Sequence, residues 1–84
     1  MTLYRKCRLL IEEGCWSSVT PYGRLVFHAV PGSSSLKAYV LDRSCRVLAG
    51  GTCNNRGEVL LEYGNNVRLV EDAVNWTVAQ VLFT

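Results

Sequence analysis

The chain has 84 residues, a formal net charge of +2 at pH 7, 19% charged residues and 49% hydrophobic residues. These values predict one soluble globular domain over residues 1–84 and exclude a disordered chain or a second domain. No apolar run is long enough to span a membrane, and the excess of basic residues is too small to indicate nucleic-acid binding by itself.

The first half of the chain has the period-two alternation that is typical of strands. We predict a strand over Leu3 to Glu12 and an irregular segment from Gly14 to Tyr22. The sequences GRLVFHAV and LKAYVL form the two arms of a predicted hairpin. Pro31 to Ser35 supply a turn of ordinary hairpin length between them.

The second half continues with short segments. We predict a short strand over Arg46 to Ala49, a turn at Gly50 and Gly51, and a strand over EVLLEY. Alternation in that last strand places Val59, Leu61 and Tyr63 on the inner face. The following GNN permits a tight reversal into VRLVE, because glycine and asparagine tolerate positive φ.

The last segment, EDAVNWTVAQVLFT, fits two structures. Val70, Val74, Val78 and Val81 form a helical stripe, whereas Trp76 to Phe83 is rich in β-branched and aromatic residues. We favour a strand, which gives a mostly β fold: a small antiparallel β-sandwich or barrel of six or seven short strands. The alternative is an α+β fold in which a C-terminal helix, about 70–83, packs on an antiparallel sheet.

Four cysteines form two similarly spaced pairs, CRLLIEEGC from Cys7 to Cys15 and CRVLAGGTC from Cys45 to Cys53. Each pair precedes a glycine-led predicted strand. The chain is therefore interpreted either as two degenerate halves, about 1–41 and 42–84, or as a chance likeness. Zinc sites place their cysteines two to four residues apart, so this spacing argues against a metal site.

Disulfides are an easier use of these cysteines. Of the three possible pairings, we favour Cys7 with Cys45 and Cys15 with Cys53, since the longer loops constrain the unfolded chain more strongly. Local pairing within each nine-residue segment remains open. So does a fully reduced state, which is the usual one in the cytoplasm.

The run that contains Gly14 and Cys15, GRLVFHAV, PGSSSLKAYVL, Ser44 and Cys45 resembles the MAX family of secreted fungal plant-pathogen effectors. The likeness covers about a third of the chain. It implies a six-stranded β-sandwich, binding to host proteins rather than catalysis, and a disulfide from the first strand to the region before the fifth. On that resemblance Cys7 and Cys45 would form the family's bridge.

Catalysis requires a nucleophile beside a base or a pair of acids with different environments. His28 is the only histidine, and no set of serine, histidine and acid can be placed around it. Glu12 and Glu13 are adjacent, so on a strand they point to opposite faces. We therefore expect no enzymatic activity, no cofactor and no metal.

Protein recognition needs no reacting group, because an edge strand offers unpaired N–H and C=O groups to a partner strand. In the predicted first strand, the candidate partner-binding residues are Tyr4, Arg5, Lys6 and Arg8. Arg24 belongs to the same set through the strand GRLVFHAV. Cationic side chains at an edge suit an acidic partner.

The sequence thus predicts a protein-binding effector or inhibitor that modulates a host or target protein through a sheet edge or face. It would be secreted, with Met1 added for expression, if the disulfides form. An intracellular phage-type inhibitor, such as an anti-CRISPR, is the alternative if the cysteines are reduced. A third possibility is a small barrel that binds single-stranded nucleic acid, with Tyr4, Trp16 and Tyr22 stacking on bases.

Overall fold

The computed structural model describes residues 1–83. Two helices flank five strands along the chain: α1 (Leu3–Glu12), β1 (Ser17–Thr20), β2 (Gly23–Ala29), β3 (Leu36–Leu41), β4 (Val47–Cys53), β5 (Val59–Tyr63) and α2 (Val67–Leu82). All strand pairs are antiparallel, and the sheet order is β1-β2-β3-β4-β5. The strands therefore follow one another as a simple meander with β1 and β5 at the edges.

This architecture is α+β. The predicted antiparallel sheet is confirmed, and so is the alternative with a C-terminal helix, whose predicted range of about 70–83 overlaps α2. The preferred sandwich or barrel is wrong, because the strands form a single open sheet. The six-stranded sandwich implied by the resemblance differs from this fold for the same reason. Thr84, the last residue of the predicted domain, lies outside the described residues.

The predicted strand over Leu3 to Glu12 is wrong, since these residues form α1. Thr2 caps the helix, and its hydroxyl accepts a hydrogen bond from the Arg5 N–H at 3.2 Å, as N-caps typically do. At the other end, Gly14 has a φ of +82°. The Gly14 and Cys15 N–H groups return to the Ile11 and Leu10 carbonyls at 2.9 and 2.8 Å, which is the Schellman arrangement.

The helix α2 follows the valine stripe of the sequence. Asn66 caps its start, where the side-chain oxygen accepts from the Arg68 N–H at 3.1 Å. Val70, Ala73, Val74 and Thr77 are buried along one side. A stripe at this spacing faces a single surface of a 3.6-residue helix, so tertiary burial outweighs the β-branched composition of the segment.

Strand boundaries agree with the sequence in the hairpin and differ elsewhere. The predicted hairpin is confirmed as β2 and β3, which pair in register from Arg24 and Leu41 to Ala29 and Leu36. β1 lies within the segment predicted to be irregular. β4 is longer than predicted, because it runs through the two glycines that were interpreted as a turn.

Gly50 and Gly51 are buried inside β4, and the turn predicted there is wrong. A Cβ at Gly50 would overlap the Tyr39 ring and lie 2.7 Å from the Ala38 carbonyl oxygen. A Cβ at Gly51 would lie 2.8 Å from both the carbonyl carbon of Leu60 and the Cα of Leu61. The glycines therefore permit close approach of neighbouring strands, a common use of glycine within a sheet.

Both helices pack on the same face of the sheet. One cluster of buried residues joins the helices to the three central strands: Cys7, Leu10, Leu25, Phe27, Leu36, Ala38, Val40, Ala49, Val70, Ala73 and Val74. α2 also contacts β1. The molecule is thus a two-layer structure with a helical layer on one face of the sheet. Among residues 1–83, neither helix is long and apolar enough to cross a membrane.

Candidate functional site

Within residues 1–83, both helices lie on one face of the sheet, and we call the other, uncovered face the open face. Strand alternation and register assign fifteen residues to it: Ser17, Val19, Arg24, Val26, His28, Lys37, Tyr39, Leu41, Val47, Leu48, Gly50, Thr52, Leu60, Glu62 and Tyr63. Several are large and apolar. Val19 and Leu60 are each 68% exposed, Tyr63 is 51% exposed and Leu48 is 44% exposed.

An aromatic pair lies on the open face. The ring centroids of Tyr39 and Tyr63 are 5.8 Å apart, and the ring planes meet at 65°, an edge-to-face arrangement that aromatic rings favour. The pair depends on Gly50, which lies opposite both tyrosines in the sheet and leaves room for the Tyr39 ring. The contact therefore favours one arrangement of the two rings before any partner binds.

A polar group lies beside the aromatic pair. Lys37 Nζ is 3.2 Å from Glu62 Oε2, and the Thr52 hydroxyl donates to Glu62 Oε1. The Thr52 hydrogen bond, followed by that from Lys37, lowers the pKa of Glu62. The hydrogen bond to Glu62 raises the pKa of Lys37. Both groups stay charged at neutral pH and neutralise each other on the open face.

Two clefts lie at opposite ends of the open face. The first, the Arg24 cleft, has a volume of about 630 Å³ and lies between the β1–β2 and β3–β4 turns. Its walls include Val19, Tyr22, Arg24, Leu41, Arg43 and Leu48. The second is smaller, about 360 Å³, and is lined by His28, Val30, Pro31, Lys37 and Tyr39. Both volumes fall within the range of ordinary ligand pockets.

The Arg24 cleft has an uneven charge distribution. Its one lining carboxylate, on Asp42, accepts the Ser44 and Arg46 backbone N–H groups at 2.8 and 3.0 Å and thereby shapes the β3–β4 turn. Among residues 1–83, neither Arg24 nor Arg43 forms an ion pair. Arg24 donates only to the Ser17 hydroxyl, at 3.3 Å. The cleft therefore presents two available cations above apolar walls.

The predicted partner-binding residues divide into two groups. Arg24 lies on the open face, whereas Tyr4, Arg5, Lys6 and Arg8 lie on α1 rather than on an edge strand. On the helix, the Tyr4 hydroxyl donates to the Ser34 carbonyl at 2.7 Å. Arg5 is exposed. A partner-binding role for the four α1 residues stays a prediction, but the edge strand proposed to present them is wrong.

Two of the α1 cations contact polar groups of the protein itself. Lys6 Nζ donates to the Asn75 side chain of α2 at 2.7 Å. Arg8 Nη2 lies 3.8 Å from Glu12 Oε1 in an exposed pair along the helix. The Lys6 hydrogen bond links α1 to α2, whereas the exposed Arg8 pair lies along α1 alone and constrains its side chains little.

All four cysteines are free thiols in the structure, so it forms neither the crossed nor the local disulfides. Cys7 and Cys53 are buried, whereas Cys45 is exposed in the β3–β4 turn, where its φ is +63°. Cys15 is half-buried after α1. The first cysteine pair thus spans a helix and its C-terminal turn, and the second spans a turn and β4, so the two similar sequences adopt different structures.

Cys7 and Cys53 belong to the same end of the buried layer. Tyr4 contacts the β2–β3 turn, and Thr2 is the residue nearest to Gly57 in the β4–β5 turn. The start of α1 therefore crosses the ends of β3 and β4, where Cys53 pairs with Leu36. Burial, followed by the charge of Cys53, raises the pKa of Cys7 to about 12, and burial also raises the pKa of Cys53.

The residues examined for catalysis lie apart. His28 pairs with Lys37 near one end of β2, whereas Asp42 follows Leu41, which pairs with Arg24 at the other end. Arg24 and His28 are four residues apart in β2, or about 13 Å, so His28 and Asp42 lie near opposite ends of the hairpin. Glu12 ends α1 and Glu13 caps it. Within residues 1–83, no group of three histidine, cysteine, aspartate or glutamate residues is arranged to hold a metal ion.

The sequence analysis did not identify the aromatic pair. EVLLEY predicts Tyr63 on the inner face, but the register shifts between Gly50 and Gly51. Gly51 pairs with Leu61 and Gly50 pairs with Tyr63, so Glu62 is the extra residue of a bulge. Tyr63 therefore lies on the open face, and its inward placement is wrong. The double glycine was the available signal, because glycine within a strand often marks a bulge.

Comparison of the chain with protein-family models, curated proteins and solved structures found no match.

Proposed function

We propose that this chain is a non-enzymatic effector or inhibitor that modulates a target protein by docking its open face on that protein. One observation carries the proposal: large apolar side chains project from a sheet face that no helix covers. Several exposed large apolar side chains on one face of a small protein are typical of interaction sites. The open face combines it with charged groups that can orient a partner.

The aromatic pair supports the same proposal. Tyrosine is enriched among residues that dominate binding energy, and such residues lie in the centre of an interface. Tyr39 and Tyr63 already hold each other in an edge-to-face contact. Because little side-chain freedom remains to be lost, a partner that packs on them incurs a smaller entropic cost.

The proposal is tested with two matched double variants. Leu60→Ser with Tyr63→Ser removes an aliphatic and an aromatic side chain from the open face. Leu82→Ser with Phe83→Ser removes the same chemistry from the end of α2, where the side chains are 52% and 84% exposed. Tagged forms of both variants and of the unchanged protein are used to capture partners from lysate of the source or host cells. Circular dichroism confirms that each variant folds.

We expect one captured protein to be lost, by more than about tenfold, from the open-face variant and retained by the α2 variant. Equal capture by both variants would contradict docking through the open face. Arg5→Glu with Lys6→Glu provides a third arm. Selective loss in that arm would transfer the function to α1, where the sequence analysis placed it.

Two biological settings for this activity remain proposals. In one, the protein is a secreted pathogen effector that acts on a host protein, as the MAX resemblance implies. In the other, it is an intracellular inhibitor of the kind that phages encode. Intact mass of the native protein separates them: two disulfides remove four hydrogens relative to the reduced chain. Fully reduced cysteines would leave the secreted setting without support.

A second candidate is single-stranded nucleic-acid binding. An open sheet face with aromatic and cationic side chains can stack bases and contact phosphates, and Tyr39, Tyr63 and Arg24 provide such groups. Against it, Glu62 neutralises Lys37 in the middle of the face. A labelled oligonucleotide titrated at low and then rising salt tests this function, since phosphate contacts weaken as salt increases. An unchanged signal at low salt rules it out.

A further inference from the structure

We infer that the Arg24 cleft receives an acidic segment of the target protein that also carries apolar side chains. The inference rests on the proposed function and names the chemistry of the partner. Its basis is the combination of two cations without carboxylate partners and an apolar wall at one end of the open face.

The charged side chains of the Arg24 cleft favour an anionic group. Arg24 and Arg43 line the cleft from β2 and from the β3–β4 turn. Asp42 is the only acidic residue in the lining, and two backbone N–H groups already bind its carboxylate. An arginine presents several N–H donors in a plane that matches a carboxylate. Two such groups without an internal acid favour an incoming aspartate or glutamate side chain.

The apolar lining of the Arg24 cleft favours a polypeptide over a small ion. Val19, Leu41 and Leu48 provide an apolar wall in the same cleft as the two arginines, and Pro21 and Tyr22 also line it. The cleft opens towards the rest of the open face, because Leu41 and Leu48 belong to both. A small free anion would leave this wall exposed to water. A polypeptide can place an acidic side chain on the arginines and neighbouring apolar side chains on the wall.

The strand register places Arg24 beside the apolar wall of the cleft. Arg24 lies opposite Val19 in β1 and opposite Leu41 in β3, so cation and apolar wall share the same row of the sheet. The Ser17 hydroxyl holds Arg24 with a single 3.3 Å hydrogen bond, and its remaining donors are available. An incoming carboxylate therefore replaces water rather than an existing ion pair.

The probe for this inference is a labelled synthetic peptide of alternating leucine and glutamate, added to the ¹⁵N-labelled full-length protein. Matched peptides of alternating leucine and lysine, and of alternating serine and glutamate, separate the charge and apolar requirements. We expect the leucine–glutamate peptide to shift the amide resonances of Val19, Arg24, Leu41 and Leu48. We expect the other two peptides to bind at least about tenfold more weakly.

Charge-reversal variants complete the test. Arg24→Glu with Arg43→Glu should weaken binding of the leucine–glutamate peptide by more than about tenfold, and Arg56→Glu with Arg68→Glu, which are exposed outside the cleft, should leave it unchanged. Resonance shifts confined to α1, equal binding of the lysine peptide, or displacement of the peptide by a single-stranded oligonucleotide would each overturn the inference.

The same variants distinguish failure of this inference from failure of the proposed function. If Arg24→Glu with Arg43→Glu still captures the target, whereas Leu60→Ser with Tyr63→Ser does not, the open face binds the target without an acidic segment in the cleft. In that case the inference fails and the proposed function stands. If both variants capture the target as well as the unchanged protein does, both are wrong.

Discussion

Replacement of Leu10 by alanine distinguishes a helical from an extended arrangement of residues 3–12. In α1, Leu10 is completely buried among the core residues, whereas Leu9 is only half-buried. In a strand, Leu10 would instead share a charged face with Arg8 and Glu12. Leu9 would lie on the opposite, apolar face with Cys7. Leu10 is therefore the more buried leucine in the helix, whereas Leu9 would be the more buried one in a strand.

The expected magnitudes follow from burial. Removal of a fully buried leucine side chain lowers the free energy of unfolding by about 3 kcal/mol, within the measured range for such changes. Leu9→Ala removes a partly exposed side chain and costs about 1 kcal/mol. Total stabilities of domains this size are about 4 to 12 kcal/mol, so the Leu10 change removes a large share.

Urea unfolding followed by circular dichroism measures both variants. With a slope of about 1 kcal/mol per molar urea, the midpoint should fall by about 3 M for Leu10→Ala and about 1 M for Leu9→Ala. A Leu10→Ala protein that does not fold, beside a folded Leu9→Ala protein, agrees with the same order. Equal shifts, or a larger shift for Leu9→Ala, would refute the helical packing of α1.

Three further predictions concern glycine and cysteine. Gly51→Ala should lower the free energy of unfolding, measured by urea titration, by about 2 kcal/mol, because the new Cβ meets the backbone of Leu60 and one strand must move. A change below about 0.5 kcal/mol would contradict the close approach of the two strands. Above pH 9, the ordinary pKa of the thiol, the free energy of unfolding of the unchanged protein should fall relative to that of Cys7→Ala by up to about 1.4 kcal/mol per pH unit, because the unfolded chain releases the Cys7 proton first. Parallel curves of unfolding free energy against pH for the two proteins would exclude this effect. Iodoacetamide should modify the exposed Cys45 well before the buried Cys7 and Cys53 in the folded protein; peptide mapping that finds Cys7 modified as fast as Cys45 would contradict the burial of Cys7.

The sign of the pH effect follows from the raised pKa. Burial keeps the Cys7 thiol protonated in the folded protein up to a pH of about 12. Below the ordinary thiol pKa both states carry the proton, so the stabilisation is fully present there. As pH rises between the two values, only the unfolded chain loses its proton, and the folded state becomes progressively less favoured.

The sequence predicted those elements whose local pattern agrees with their tertiary environment. The β2–β3 hairpin has alternating strands and a turn rich in glycine and serine, and α2 has a valine stripe on one face. α1 was missed although Thr2 is a good signal for the start of a helix and Gly14 is a good signal for its end. Its short apolar run satisfies both a strand and a helix, and only packing of Cys7 and Leu10 in the core decides between them.

The open face could be predicted only in part. Arg24 was predicted to bind a partner, which stays a prediction, and it lines the Arg24 cleft; Tyr39 and Tyr63 were not predicted as a pair. Their contact depends on the register shift at Gly50, which arises from pairing between β4 and β5 rather than from the alternation of either strand. Sequence alternation assigns a face to each residue, and a single bulge reverses the assignment.

Site-specific photo-crosslinking shows which surface of the protein contacts the target. A photoreactive phenylalanine analogue replaces Tyr63 on the open face in one protein and Phe83 at the end of α2 in another, so that two exposed aromatic positions are compared. In lysate that contains the target, we expect a specific adduct from position 63 that excess unlabelled protein competes away. An adduct from position 83, with none from position 63, would contradict it.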